Sequence, residues 1–236
     1  LPPSAVVIVA TARALKHHGG AQKDALGTED LAALERGLPN LLRHIENITT
    51  VFALPCVVAV NRFPTDTEAE LALIERECKK LGVAVTLSEV WEKGGEGGTA
   101  LAQEVVRLCA QPAALRYAYA PEESVEQKIT DICKKVYRAE AVDFLPEAKK
   151  QAARLTELGF SSLPICMAKT QYSFSDNPKK LGAPEGFTVV VRRLKVCAGA
   201  GFIVAYTGDI LTMPGLPKVP AAERIDVDEN GVISGL

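Results

Sequence analysis

Two unbroken apolar runs, Ala5-Val6-Val7-Ile8-Val9-Ala10 and Cys56-Val57-Val58-Ala59-Val60, constrain the fold of this chain more than any other feature. A strand that is apolar without alternation has to be covered on both faces, which is the condition of a parallel sheet flanked by helices. Between the runs, Leu31, Leu34, Leu38, Leu41 and Ile45 recur at three- and four-residue spacing, on one face of a helix of about 17 residues. Thr65-x-x-Glu68 reads as a capping box opening a second helix that buries Leu71, Ile74, Cys78 and Leu81, ahead of a short strand over residues 83–87. A third helix, from near Thr99, presents Leu101, Val105 and Leu108. Three strand–helix pairs in succession predict an α/β fold with a parallel sheet.

The second half has a different texture. Ser124-x-x-Gln127 caps a helix showing Val125, Ile129, Ile132 and Val136, and Pro146 opens another that ends at Gly159. After the apolar run Leu163-Pro164-Ile165-Cys166-Met167, strand-like patterns follow at 187–194, 202–206 and 225–233, the last with the turn signal Asn230-Gly231. The expectation is a smaller α+β domain with antiparallel strands. Pro112 and Pro121 bracket a weakly patterned stretch, which sets the expected division at 1–115 and 116–236.

Composition narrows the functional classes. Lys plus Arg (27) nearly balances Asp plus Glu (29), with a net charge of -2 and a pI near 6.0, so no overall field draws the chain to nucleic acid or an anionic membrane surface. No apolar stretch reaches the ~20 residues that span a bilayer. The six cysteines, Cys56, Cys78, Cys109, Cys133, Cys166 and Cys197, contain no C-x-x-C pair and sit in apolar or helical patterns, the habit of reduced, core-filling thiols in the cytoplasm. The opening Leu1-Pro2-Pro3, one residue before a buried-strand pattern, reads as part of a longer polypeptide.

Ligands of an open parallel sheet bind beyond the carboxyl ends of its strands. The segments there are 11–20, 61–66 and 88–98, and they hold the only tryptophan, two of the three histidines and two Gly-Gly clusters. Phe63 and Trp91 are loop aromatics in a chain with 6% aromatic residues, suited either to stacking on a flat heteroaromatic ligand or to plugging the core. Arg13 and Lys16 share a helical face that would suit an anion, or simply water. His17-His18 has no Cys, Asp or Glu at metal spacing, so no metal is assigned. Gly94-Gly95-Glu96-Gly97-Gly98 would serve as a phosphate cradle or as a turn, and lacks the Gly-Lys-Ser/Thr ending of a Walker loop. No nucleophile elbow is present, which disfavours covalent hydrolysis.

Residues 9–20, Val-Ala-Thr-Ala-Arg-Ala-Leu-Lys-His-His-Gly-Gly, resemble a signature of the formate–tetrahydrofolate ligases. In order along the chain, Asn61-Arg62-Phe63-Pro64-Thr65-Asp66-Thr67-Glu68, Ser88-Glu89-Val90-Trp91, the segment from Leu163 through Lys169-Thr170-Gln171-Tyr172-Ser173, and Thr212-Met213-Pro214-Gly215-Leu216-Pro217 are similar to the same family. The resemblance spans nearly the whole chain and is nearest the single-function bacterial enzymes. It implies an ATP-driven ligation in which formate becomes formyl phosphate and the amine of tetrahydrofolate captures the formyl group, giving 10-formyltetrahydrofolate. It further implies magnesium with ATP, activation by a monovalent cation, and a homotetramer. Matched motif by motif, it gives a pterin clamp of Phe63 with Pro64, and Trp91, with Leu87 lining the same pocket. The family's phosphate-binding loop and formyl phosphate residues lie upstream of these motifs, so the chain is expected to be the carboxyl-terminal part of the enzyme and inactive alone. A non-catalytic module that keeps the fold for ligand binding or subunit assembly is the alternative.

Overall fold

The computed structural model describes residues 2–208 and 218–235; the Thr212 to Pro217 motif lies outside the described residues. In the first half, β1 (Val6–Ala10), β2 (Cys56–Asn61) and β3 (Ala84–Ser88) form a parallel sheet in the order β1-β2-β3, with Val6 opposite Cys56 and Val57 opposite Ala84. The central strand is buried along its apolar length, as its unbroken run requires. Helices α1 (Ala12–His18), α2 (Leu31–Glu46) and α3 (Glu68–Lys80) contribute Leu15, Leu34, Leu38, Leu41, Ile45, Leu71 and Ile74 to one apolar cluster with Val58 and Val60. A four-residue helix, α4 (Val90–Lys93), leads through a 3-10 stretch into α5 (Thr99–Cys109), which packs on β2 and β3.

Several expectations shift in detail. The capping box of α3 is Thr67 with Glu70, two residues beyond Thr65-x-x-Glu68: Thr67 Oγ1 accepts from Glu70 N, and Glu70 Oε2 accepts from Thr67 N. Leu31 and Leu81 are exposed, because one is the first residue of α2 and the other follows the last residue of α3. Lys16 faces the core and an internal carboxylate rather than a bound anion or solvent. Its ammonium sits 2.8 Å from Glu70 Oε1, with both side chains fully buried, and donates to Thr28 O at 2.8 Å. Helices α1 and α2 touch backbone to backbone. A Cβ on Gly37 would lie 1.8 Å from Leu15 O, so only glycine permits that approach.

The second half holds α6 (Val125–Lys135), β4 (Ala141–Phe144), α7 (Pro146–Glu157), β5 (Ile165–Ala168), β6 (Thr188–Val191), β7 (Arg193–Cys197), β8 (Phe202–Tyr206), β9 (Asp226–Val227) and β10 (Ile233–Ser234). Antiparallel pairs β7–β8 and β9–β10 are present, beside parallel pairs β4–β6 and β5–β8. The pattern read over 187–194 divides at Arg192 into β6 and β7, which join different sheets. A second cluster around Val125, Ile129, Ala152, Val189 and Ile203 forms this core. Of the cysteines, Cys56, Cys78 and Cys133 fill cores, and burial pushes their thiols up to about 11, about 12 and about 12. Cys109 and Cys166 are exposed and Cys197 is partly so, which corrects the expectation for those three.

The two halves meet along α2. Asn40 Nδ2 donates to Gly182 O (2.8 Å), Arg43 pairs with Glu185 (2.8 Å), Arg138 pairs with Glu46 (2.6 Å), and the His44 ring lies 4.6 Å from that of Phe174. His18 Nδ1 accepts from Gly182 N at 3.1 Å.

Two outcomes follow from these contacts. Removing one partner of a buried ion pair strands the other charge, so Lys16→Met should lower the unfolding free energy by about 3–5 kcal/mol in urea titrations. The double variant Lys16→Met with Glu70→Leu should recover most of that loss, and additive losses would contradict the pairing. Burial lowers the His18 and His44 pKa from the ordinary 6.5, so the unfolded chain takes up these protons first as pH falls. Their contribution is complete above 6.5 and declines below it, so stability at pH 5.5 should be lower than at pH 7.5. The lowered carboxylates Glu77, Glu89 and Glu104 act below their ordinary 4.5, outside this window. A flat profile between pH 7.5 and 5.5 would contradict the burial of these imidazoles.

Candidate functional site

The carboxyl ends of β1, β2 and β3 are joined by side chains. Beyond β2, Phe63-Pro64-Thr65-Asp66 closes a turn in which Asp66 N donates to Phe63 O (2.9 Å) and Phe63 N to Asp66 Oδ2 (2.8 Å). Pro64 takes the position whose φ it presets. The Phe63 ring is half-buried and Pro64 is exposed. Beyond β1, Thr11 caps α1 by accepting from Ala14 N, which places Arg13 in the first turn. The Arg13 guanidinium carbon lies 4.1 Å from the Phe63 ring centroid, and Nη2 donates to Thr65 Oγ1 at 3.2 Å. Such a cation over a ring contributes about 0.5–2 kcal/mol and covers one face of it.

Beyond β3, Trp91 stands on α4, and its indole Nε1 donates to Arg62 O at 3.1 Å. Arg62 N donates to Ser88 O (3.1 Å), while its guanidinium pairs with Glu68 (2.7 Å) and Glu89 (3.6 Å). Lys93 also pairs with Glu89 at 2.7 Å and holds its carboxyl below the usual carboxylate range. Trp91 thus anchors to the carbonyl of the residue preceding Phe63, yet remains 60% exposed. Leu87, the penultimate residue of β3, is also exposed. The structure therefore joins Trp91 to the backbone just ahead of Phe63 and Pro64, with Leu87 near the end of the adjoining strand. Arg62 and Glu89 gave no signal of their own, because arginine and glutamate in loops ordinarily face water, and Arg13, expected to face an anion or water, instead covers Phe63.

Other rim candidates resolve differently. His17, His18, Gly19 and Gly20 lie at the far end of α1, where His18 serves the junction with the second half. Lys16 is spent on Glu70. Within the glycine cluster, Gly97 and Gly98 are packed against the start of α4, whereas Gly94 and Gly95 have open space where a Cβ would stand. Gly97 O accepts from Glu89 N at 3.1 Å, and a Cβ on Gly97 would lie 2.5 Å from Glu89 C and O. Among the described residues no group of three His, Cys, Asp or Glu is placed to hold a metal, and no described helix is long and apolar enough to cross a membrane. Lys169, after β5, donates to Thr170 O (2.9 Å), Ser173 O and Ser175 O (3.2 Å), and burial lowers its pKa to about 8.

Together these features define an α/β protein with Phe63 and Trp91 at the carboxyl ends of a parallel sheet. A family model described as formate–tetrahydrofolate ligase matches residues 1–236, the whole chain. The chain belongs to the formate–tetrahydrofolate ligase family, whose members join formate to tetrahydrofolate.

Because Gly97 packs against the turn that carries Trp91, Gly97→Ala should displace the indole. The expected result is loss of protection of the indole N–H from hydrogen exchange with little change in far-UV circular dichroism. Unchanged exchange would contradict the contact.

Proposed function

We propose that this chain holds the pterin of tetrahydrofolate between Phe63, backed by Pro64, and Trp91, with Leu87 lining the same pocket. It would do so as the folate part of an ATP-dependent ligase that makes 10-formyltetrahydrofolate. The observation that carries this reading is the Trp91 indole fastened to Arg62 O, beside a Phe63 ring with Arg13 on one face. In this reading the opposite face of Phe63 takes the flat heterocycle, where stacking contributes about 0.5–1.5 kcal/mol beyond burial. In this reading Arg13 and Arg62 orient the clamp and exclude water from it. None of these side chains is assigned to proton transfer.

Gly97 and Gly98 of the glycine cluster pack against Glu89 and Val90, so these two are not proposed to cradle the phosphates of ATP. In this proposal ATP with its magnesium, the formyl phosphate and the activating monovalent cation are held by parts of the enzyme outside these 236 residues. The working enzyme is proposed to be a cytoplasmic homotetramer. No nucleic acid or membrane enters the scheme.

Trp91 is the only tryptophan, so its emission reports one site. Titrating the chain with a stable reduced-folate analogue should give saturable quenching after correction for ligand absorbance. Phe63→Ala should weaken that binding about tenfold or more, on the scale of lost stacking and burial. Absent quenching, or quenching indifferent to Phe63→Ala, would contradict the clamp. Formate-dependent ADP release by the 236-residue chain would contradict the division of the site while leaving the clamp standing.

A further inference from the structure

Strand β1 is an edge of the first sheet: among the described residues it has a neighbour, β2, on one side only. Val6 N donates to Pro55 O at 3.0 Å, so the backbone groups of Val6, Ile8 and Ala10 turn toward β2. Direction alternates along a strand, and the N–H and C=O of Val7 and Val9 therefore point at the open edge. The side chains of the same two residues are uncovered, Val7 at 39% and Val9 at 68% exposure. Helices α1, α2 and α3 cover the face of Val58 and Val60, and α5 packs on β2 and β3. On the second face Val57 and Ala59 are buried, whereas Val7 and Val9 beside them are not. Natural sheets blunt such an edge with a charge, a proline or a bulge. Residues 6–10, Val-Val-Ile-Val-Ala, contain no charge or proline and pair with β2 without a break in register. Pro2 and Pro3 stand ahead of the strand, outside this length.

The strand is also complementary to itself. Antiparallel pairing about a two-fold axis at Ile8 sets Val7 opposite Val9 of a second copy, and Val9 opposite its Val7. In this register residues 6–10 pair along their whole length. Val7 and Val9 then take the hydrogen-bonded positions, where each facing pair exchanges both of its bonds. Ile8, whose backbone groups are committed to β2, falls at the position between them that makes no bond across the axis. The exposed valines meet as cross-strand neighbours on one face. An unrelated strand would have to supply this match, whereas a second copy carries it already.

We propose that two copies of this chain join through β1 in this register, so that their three-stranded sheets become one. The contact is isologous, the commonest way for identical subunits to meet. Because the two β1 strands run in opposite directions, the carboxyl ends of the two sheets open at opposite ends of the joined sheet. Both rims that carry Phe63 and Trp91 therefore stay free. The assignment does not depend on the folate reading.

The test is sedimentation velocity of the full chain over a concentration series. A reversible monomer–dimer equilibrium is expected, with a dissociation constant on the order of micromolar, as suits a contact built on one strand from each side. Val9→Lys puts a charge on the paired face and should weaken the dimer about tenfold or more. Val9 is exposed, so the far-UV circular dichroism of that variant should match the wild type. Should the variant fail to fold, the wild type decides. In a mixture of labelled and unlabelled chains, Val7 methyls should show nuclear Overhauser effects to Val9 methyls of the other copy. A monomer at every concentration would leave the edge to a different strand and overturn the proposal. So would a dimer that Val9→Lys leaves intact, or one without contacts between Val7 and Val9 of different copies.

Discussion

The buried ion pair between Lys16 and Glu70 is the contact on which the site depends. Glu70 closes the capping box of α3, accepts from Asp30 N ahead of α2 (3.2 Å), and receives the Lys16 ammonium from α1. Three chain segments are therefore tied at one carboxylate directly behind the turn that presents Phe63. Such a pair adds little net stability over an apolar replacement, because desolvation offsets most of the attraction. Its effect is on placement. A carboxylate with fixed partners allows one position for the start of α3, and hence one geometry for the 63–66 turn.

From that foundation the rim is assembled by weak contacts in series. Arg13, on α1 beyond β1, covers one face of Phe63 beyond β2, and the carbonyl of Arg62 takes the indole of Trp91 from beyond β3. Each link alone is modest, but each is directional, so an aromatic side chain can stay exposed without being free to turn. Gly97 and Gly98 act in the same sense, since their lack of side chains lets them close against Glu89 and Val90 at the start of α4.

Strand β2 and the apolar face of α2 were legible because burial on both faces, or on one face of a helix, leaves a trace in the sequence. Strand β1 carries the same unbroken run although its Val7 and Val9 are exposed, which corrects the expectation of cover on both faces for that strand. The segment Thr65-Asp66-Thr67-Glu68-Ala69-Glu70 offers two registers for a capping box, and local pattern does not separate them. The core contact of Glu70 with Lys16 does, and it comes from a distant part of the chain. Lys16 was illegible for the same reason: lysine on a helix ordinarily faces water. The four-residue β4 was too short to show a period, and the bond from His18 to Gly182 links residues 164 positions apart. The clamp residues were visible as loop aromatics and through the family resemblance, whereas Arg13 was legible only as a candidate for an anion or a solvated face, and the contact it makes with Phe63 joins residues 50 positions apart.

The most direct measurement is of nuclear Overhauser effects between the pteridine protons of a bound reduced-folate analogue and the aromatic protons of the protein. The account predicts contacts to both the Phe63 ring and the Trp91 indole, and none to His18 or His44. Contacts to only one of the two rings, or to either histidine, would contradict it.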